Sequence, residues 1–172
     1  MEDISELYKE TILETSRNPH GRKETFSEEG SSGNRQFIHA AGFNSSCGDE
    51  VEMEVEMEDG VIKGLGWRGD GCAICTSSLS MMTDLVVGKS KEDAIALFYD
   101  FLNMMNSRGE GNPPEALGEA VALQGVAKFP MRIKCALLGW TTLKEALEKG
   151  GWEQFSGTCP IDAFKKKKVS QQ

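Results

Sequence analysis

The stretch EVEMEVEMEDGVIKGLGW, residues 50–67, decides the fold. Its first nine residues alternate strictly, so Val51, Met53, Val55 and Met57 fall on one face and the glutamates on the other, the two-residue period of a half-buried strand. Asp59-Gly60 is a hairpin turn signal, and VIKGLGW resumes as a second, antiparallel strand. A third strand over about residues 37–42 joins them. Past Gly71 the period changes: Ile74, Leu79, Met81, Met82, Leu85 and Val86 suit a helix ending at Gly88.

A further helix starts behind Ser90, where Ser90 and Asp93 form a capping box with the shorter acid, and Ala94, Leu97, Phe98, Phe101, Leu102 and Met105 line its apolar face. The loop SRGEGNPP ends it. Pro130 is a favourable first-turn residue for a last helix running through Ile133, Leu137, Leu138, Trp140, Leu143 and Leu147 to Gly150-Gly151. Upstream, Ile4, Leu7, Tyr8, Ile12 and Leu13 predict an amphipathic helix over residues 3–16 that stops before Asn18-Pro19. The polar segment RKETFSEEGSSGNRQ reads as a mobile loop. Strands first and helices after indicate an α+β layer structure.

At 172 residues the chain suffices for one domain, expected over residues 1–150, with a longer polar loop at about 21–38 and a flexible lysine-rich tail over 151–172. No apolar run approaches a membrane span, and the acidic, amphipathic N-terminus does not read as a targeting segment, so no membrane partner and a cytoplasmic setting are expected. A net charge of −8 argues against nucleic acid as a partner. Lys165 to Lys168 form a basic block that reads as a solvated tail. An odd number of cysteines, five, favours metal binding or thiol chemistry over a disulfide framework.

Several patterns are decoys. GLGWRG, residues 64–69, fits a dinucleotide fingerprint, yet its glycines lie in the return strand of a hairpin and not at the end of a buried parallel strand. The methionines Met81, Met82, Met104 and Met105 read as core. His20 and His39 read as structural or solvated.

The chemistry concentrates in NSSCGDE around Cys47, GDGCAIC around Cys72 and RIKCALLGW around Cys135. GDGCAIC admits three readings: half of a zinc clamp, a redox dithiol, or one working cysteine with a bystander. Gly48 lets the backbone bend so that the Cys47 thiol and the Asp49 carboxylate can converge, and Cys72 opens a helix whose free N–H groups favour a thiolate. If these elements meet at one end of the sheet, three thiolates and a carboxylate make a tetrahedral zinc set. Spacing alone does not establish such a site, and inert buried thiols are the reading it favours.

Nearly the whole chain resembles the SufU branch of the IscU/SufU/NifU-N scaffold family, through ELYKETILETSRNP, SCGDEVEMEVEMEDGVI, GDGCAICTSSLSMMTDLVVGK and ALQGVAKFPMRIKCALLGW. The resemblance implies a three-stranded antiparallel sheet packed against helices and a metal site of Cys47, Asp49, Cys72 and Cys135. In the scaffold branch a histidine directly precedes the third cysteine; here Lys134 stands there, which makes Asp49 the better fourth ligand. The family uses serine at Cys75, which reads as a small buried residue, leaving Cys72 as the working cysteine of its pair.

The same resemblance implies a zinc-dependent sulfur acceptor, sulfurtransferase-like, that takes persulfide sulfur onto Cys47 from a PLP-dependent cysteine desulfurase of the SufS type and passes it to downstream iron–sulfur assembly proteins. Arg132 would serve the partner surface or the site's electrostatics, or form an ion pair on its helix. The alternatives are a scaffold holding a [2Fe–2S] cluster on the same ligands and a structural zinc protein. Ser45 in place of a proline, Cys75 in place of serine and the long segment 21–38 depart from the family pattern.

Overall fold

A computed structural model describes residues 4–27 and 32–149. The tail over 151–172, with Cys159 and the lysine block, lies outside the described residues. The elements run α1 (Ile4–Arg17), β1 (Arg35–Phe43), β2 (Glu50–Glu58), β3 (Val61–Arg68), α2 (Ala73–Val86), α3 (Lys91–Met105), a 3-10 segment (Glu115–Lys128) and α4 (Pro130–Lys149). The sheet is antiparallel in the order β1-β2-β3. In its register Val55 stands between Ile38 and Leu65, and Met53 between Ala40 and Trp67, so the apolar residues of all three strands share one face. The hairpin turn bends where expected, with Asp59 at φ 53° and Gly60 at φ 78°, the paired positive φ that a tight two-residue turn requires.

α4 lies on β1 and β2 and against α2, while α1 covers the other side of α2. α2 is therefore central, buried on nearly every face, although its sequence carries Ser77, Ser78, Ser80 and Thr83. Each of those hydroxyls is satisfied. Ser77 Oγ donates to Ile12 O at 2.7 Å, Ser78 Oγ to Ala136 O at 2.6 Å, and Thr83 Oγ1 to Leu79 O at 2.8 Å, while Ser80 Oγ accepts from the His20 amide at 2.8 Å. Small hydroxyls thus fasten α2 to α1 and α4 at close range, where larger side chains would hold the helices apart. Gly139 has the same role from α4: a Cβ there would run into Leu79 Cδ2 and stand 2.9 Å from Leu79 Cγ.

The structure departs from the sequence reading at several points. β1 begins at Arg35, so the polar loop is shorter than 21–38. Its described part, far from lying loose, is tied to β3: the Lys23 amide donates to Trp67 O and the Trp67 amide to Gly21 O, at 2.8 and 2.9 Å. It also covers the glutamate face of the sheet, because the Ser27 amide donates to Glu54 at 2.9 Å and Phe26 stacks near His39 with centroids 5.8 Å apart. Glu54, on the glutamate face of a strand read as half-buried, is only 3% exposed, its charge met by His39 Nε2 at 2.8 Å. Last, the 3-10 segment has no counterpart in the sequence reading, since its alanines and glycines carry no helical period. Its Leu117, Leu123 and Val126 are buried against the helices.

Candidate metal centre

Three chain segments converge at one end of the sheet. The first is the turn between β1 and β2, where Cys47 sits exposed at the tip and Asp49 buried at the entrance to β2. Gly48 adopts φ 77°, a conformation that costs glycine nothing and lets the turn double back.

The second segment is GDG, linking β3 to α2. Gly69 adopts φ 144° and lies so close to the start of β2 that a Cβ would collide with the carbonyl of Glu50 and approach Val51 Cα to 3.0 Å. The Glu50 amide donates to Asp70 O at 2.8 Å, completing the contact. This close passage delivers Cys72, the N-cap of α2, to Asp49. There the Cys72 amide donates to Asp49 Oδ1 at 3.2 Å, and the Cys72 thiol lies 3.5 Å from Asp49 Oδ2. A carboxylate at the positive end of a helix is well placed electrostatically.

The third segment is the second turn of α4, which carries Cys135, 1% exposed. Its Sγ lies 3.4 Å from Cys47 Sγ, although the two residues are 88 positions apart in sequence. The Ser78 hydroxyl bond to Ala136 O sets this turn against α2.

One ligand atom each from Cys47, Asp49 and Cys135 lie within 4.8 Å of one another, and Cys72 joins through Asp49. In a tetrahedral zinc site, two sulfurs stand roughly 3.8 Å apart and a sulfur and an oxygen roughly 3.5–3.7 Å, given Zn–S of about 2.3 Å and Zn–O of about 2.0–2.2 Å. The 3.5 Å between the Cys72 thiol and Asp49 Oδ2 matches the sulfur–oxygen spacing, the 3.4 Å between the Cys47 and Cys135 sulfurs is somewhat shorter than the sulfur–sulfur spacing, and three thiols with one carboxylate suit zinc or iron–sulfur iron better than magnesium or calcium. Among the described residues no other group of three His, Cys, Asp or Glu side chains has such spacing.

Burial pushes the Cys135 thiol well above the usual thiol range, reinforced by its hydrogen bond with Cys47 and by the charges of Cys72 and Asp49. Without a cation nearby, this cluster favours protons over crowded negative charge, and a divalent cation reverses that preference.

The remaining expected residues fall as follows. Cys75 is buried one turn along α2, and burial followed by the charges of Asp49, Cys72 and Cys47 pushes its thiol up too. A Cβ on Gly71 would meet Cys75 Sγ at 2.9 Å and Asp49 Cγ at 3.9 Å, so Cys75 backs onto the centre from inside. Arg132 and Lys134 are exposed on the first turns of α4. His20 pairs with Asp84 at 2.7 Å and His39 with Glu54, both away from the thiols. Two residues that sequence reasoning passed over shape the centre: Ser78, hidden by its polarity, and Asn44, whose side chain accepts from the Ser46 amide at 3.0 Å. An asparagine three residues before a Cys-Gly pair is a turn signal that could have been read.

Comparison with known proteins agrees with this architecture. The chain is 40% identical over 148 residues to the iron–sulfur cluster assembly scaffold protein IscU of Streptococcus pyogenes serotype M1, covering 85% of this chain and 86% of that one. It is 32% identical over 151 residues to the zinc-dependent sulfurtransferase SufU of Bacillus subtilis strain 168, covering 87% and 96%. A solved structure of SufU from Fervidobacterium islandicum AW-1 superposes with a TM-score of 0.67 at 30% identity, over 83% of this chain and 98% of that one. With residues 7–148 matching the NifU-like N-terminal domain, and with the sheet, the helices and the converging thiols in place, the chain belongs to that family of iron–sulfur cluster assembly proteins, the one that includes IscU and SufU.

Proposed function

We propose that the protein is a zinc-dependent sulfur acceptor that takes persulfide sulfur from a PLP-dependent cysteine desulfurase of the SufS type and hands it to downstream iron–sulfur assembly proteins. The observation that carries this reading is the unequal setting of the thiols. Cys47 is exposed at the tip of a glycine-flanked turn, whereas Cys135 is buried in a helix and Cys72 is held by its amide to Asp49. Zinc bound by Cys47, Asp49, Cys72 and Cys135 would keep the sulfurs as thiolates at neutral pH and tie the three segments together.

Accepting sulfur requires one thiolate to become available, and Cys47 is the one whose chain segment can swing outward. Its thiolate attacks the outer sulfur of the donor's persulfide. The donor's S–S bond breaks, its electron pair leaves on the desulfurase cysteine, and Cys47 carries the persulfide. Arg132, exposed one turn before Cys135, would contribute to the partner-facing surface. The free thiols fit a reducing, cytoplasmic setting.

The test is Cys47→Ser. Serine cannot form a persulfide, so zinc-loaded variant should neither stimulate a SufS-type desulfurase nor gain 32 Da, the ~32 Da of one sulfur atom expected from thiol–disulfide exchange chemistry. A persulfide on Cys135 in that variant would move the acceptor role there.

A second reading, a scaffold holding a [2Fe–2S] cluster on the same four residues, draws on the 40% identity to a protein named IscU. Protein purified without air separates the two: colourless with one zinc supports the acceptor, and brown with iron and sulfide supports the scaffold.

A further inference from the structure

The turn that carries Cys47 is organised around one residue outside the ligand set. The Asn44 amide donates to Asp49 O at 2.8 Å, and the Gly48 amide donates to Asn44 O at 2.8 Å. Inside that backbone frame the Asn44 side-chain carbonyl accepts from the Ser46 amide at 3.0 Å, an Asx turn that folds the segment just ahead of Cys47 back onto the protein. Asn44 is 8% exposed, while Ser45, Ser46, Cys47 and Gly48 are all exposed.

Asp49, two residues beyond Cys47, is anchored separately. It accepts from the Asn44 amide through its backbone and from the Cys72 amide through its carboxylate, and the next residue, Glu50, is fixed to Asp70. The tip at 46–48 can therefore open without dragging Asp49 out of the centre. Opening breaks the Cys47 contact with Cys135, the Ser46 bond to the Asn44 side chain and the Gly48 bond to the Asn44 backbone, and of these only the Ser46 bond depends on which side chain residue 44 carries.

The Asn44 amide has a second property. Its Nδ2 is buried and finds no hydrogen-bond partner among the described residues. A buried donor left unmade is penalised, and that penalty offsets much of what the Ser46 bond contributes to the closed turn. Opening lets water reach both groups. The closed turn is thereby held by a clip of small net strength, which suits a ligand that must come and go.

From these contacts we infer that Asn44 is a positioning residue that sets how readily Cys47 leaves the metal centre. It acts through the Ser46–Gly48 tip and touches neither metal nor sulfur donor. This rests on the reading of Cys47 as the departing ligand. It is tested through the opening of the turn, which can be followed whether or not the freed thiolate accepts sulfur.

The experiment measures alkylation by iodoacetamide at each cysteine separately, by peptide mass spectrometry, in zinc-loaded and in metal-free protein. Asn44→Ala should raise the Cys47 rate only about twofold in both forms, less than the roughly fivefold of one ordinary net hydrogen bond because the unpaired Nδ2 is removed with it, and should leave Cys72 and Cys135 unchanged. Asn44→Ser, whose hydroxyl can form the same type of turn without an unpaired amide donor, should hold the tip more firmly and bring the Cys47 rate below that of the original. An unaltered Cys47 rate in Asn44→Ala, or equal acceleration at all three cysteines, overturns the inference. Hydrogen exchange on the unmodified protein gives an independent arm should Asn44→Ala not fold. The Ser46 and Gly48 amides should exchange together and faster than those of Glu50 and Cys72, and one common rate for all four defeats the idea of a separately opening tip.

Discussion

Replacing Asp49 tests the centre most directly, because this carboxylate has two duties that different substitutions separate. It is 5% exposed, accepts from the Cys72 amide at 3.2 Å, and lies 3.5 Å from the Cys72 thiol. Asp49→Ala removes a proposed metal ligand and also leaves the first amide of the α2 cap without an acceptor. The orphaned donor should cost the metal-free protein about 2 kcal/mol, the middle of the range for a hydrogen bond to a charged group. For a chain of this length that corresponds to a fall in Tm of roughly 4–8 °C. Asp49→Asn keeps an oxygen facing the Cys72 amide, so the metal-free protein should lose less than about 1 kcal/mol. Both variants should bind zinc at least about a hundredfold more weakly, equivalent to roughly 2.7 kcal/mol or more. Chelator competition gives the affinities, and thermal melts with and without metal give the stabilities. Unchanged zinc affinity in Asp49→Ala would remove Asp49 from the ligand set. Equal metal-free melts for the alanine and asparagine variants would refute the capping argument.

Cys75→Ser should leave zinc content and sulfur acceptance nearly intact, at a stability cost of about 1 kcal/mol for a buried hydroxyl, and loss of either property would revive a Cys72–Cys75 dithiol. Gly139→Ala should destabilise the fold by about 1–3 kcal/mol and weaken metal binding as well, because a Cβ pressed against Leu79 forces apart the helices bearing Cys72 and Cys135; a stable variant with a weakened site, or the converse, would show the two effects to be separable. Because burial holds the Cys135 thiol protonated above the pH at which a free cysteine ionises, zinc must displace that proton. Apparent affinity should therefore rise with pH between about 7 and 9, and calorimetry in buffers of different ionisation enthalpy should register proton release on binding.

Much of this architecture is legible in the chain because its signals are local. The alternation of β2, the Asp59-Gly60 turn, Pro130 at the start of α4 and the Ser90 cap, whose hydroxyl accepts from the Asp93 amide at 3.1 Å, each depend on a few consecutive residues. The candidate ligands could likewise be named, since Cys-Gly-Asp in a turn and a cysteine opening a helix are chemical types placed by their immediate neighbours. Other features left no trace of that kind. The serines of α2 look like a solvent face until Ile12 O and Ala136 O receive their hydroxyls, and Glu54 looks like any other residue of the glutamate face until Ser27 and His39 close over it. The 3-10 segment is built from residues too small to mark a period.

Sequence alone thus determined the strands, the turn and the helix caps and put forward candidate groups for the chemistry, because residue type and local geometry are written along the chain. Tertiary structure alone decided that Cys47 and Cys135 stand 3.4 Å apart. That distance depends on Gly69 passing against Glu50, on Ser78 drawing α4 onto α2 and on Leu79 seating against Gly139, contacts between segments whose separation no local pattern encodes.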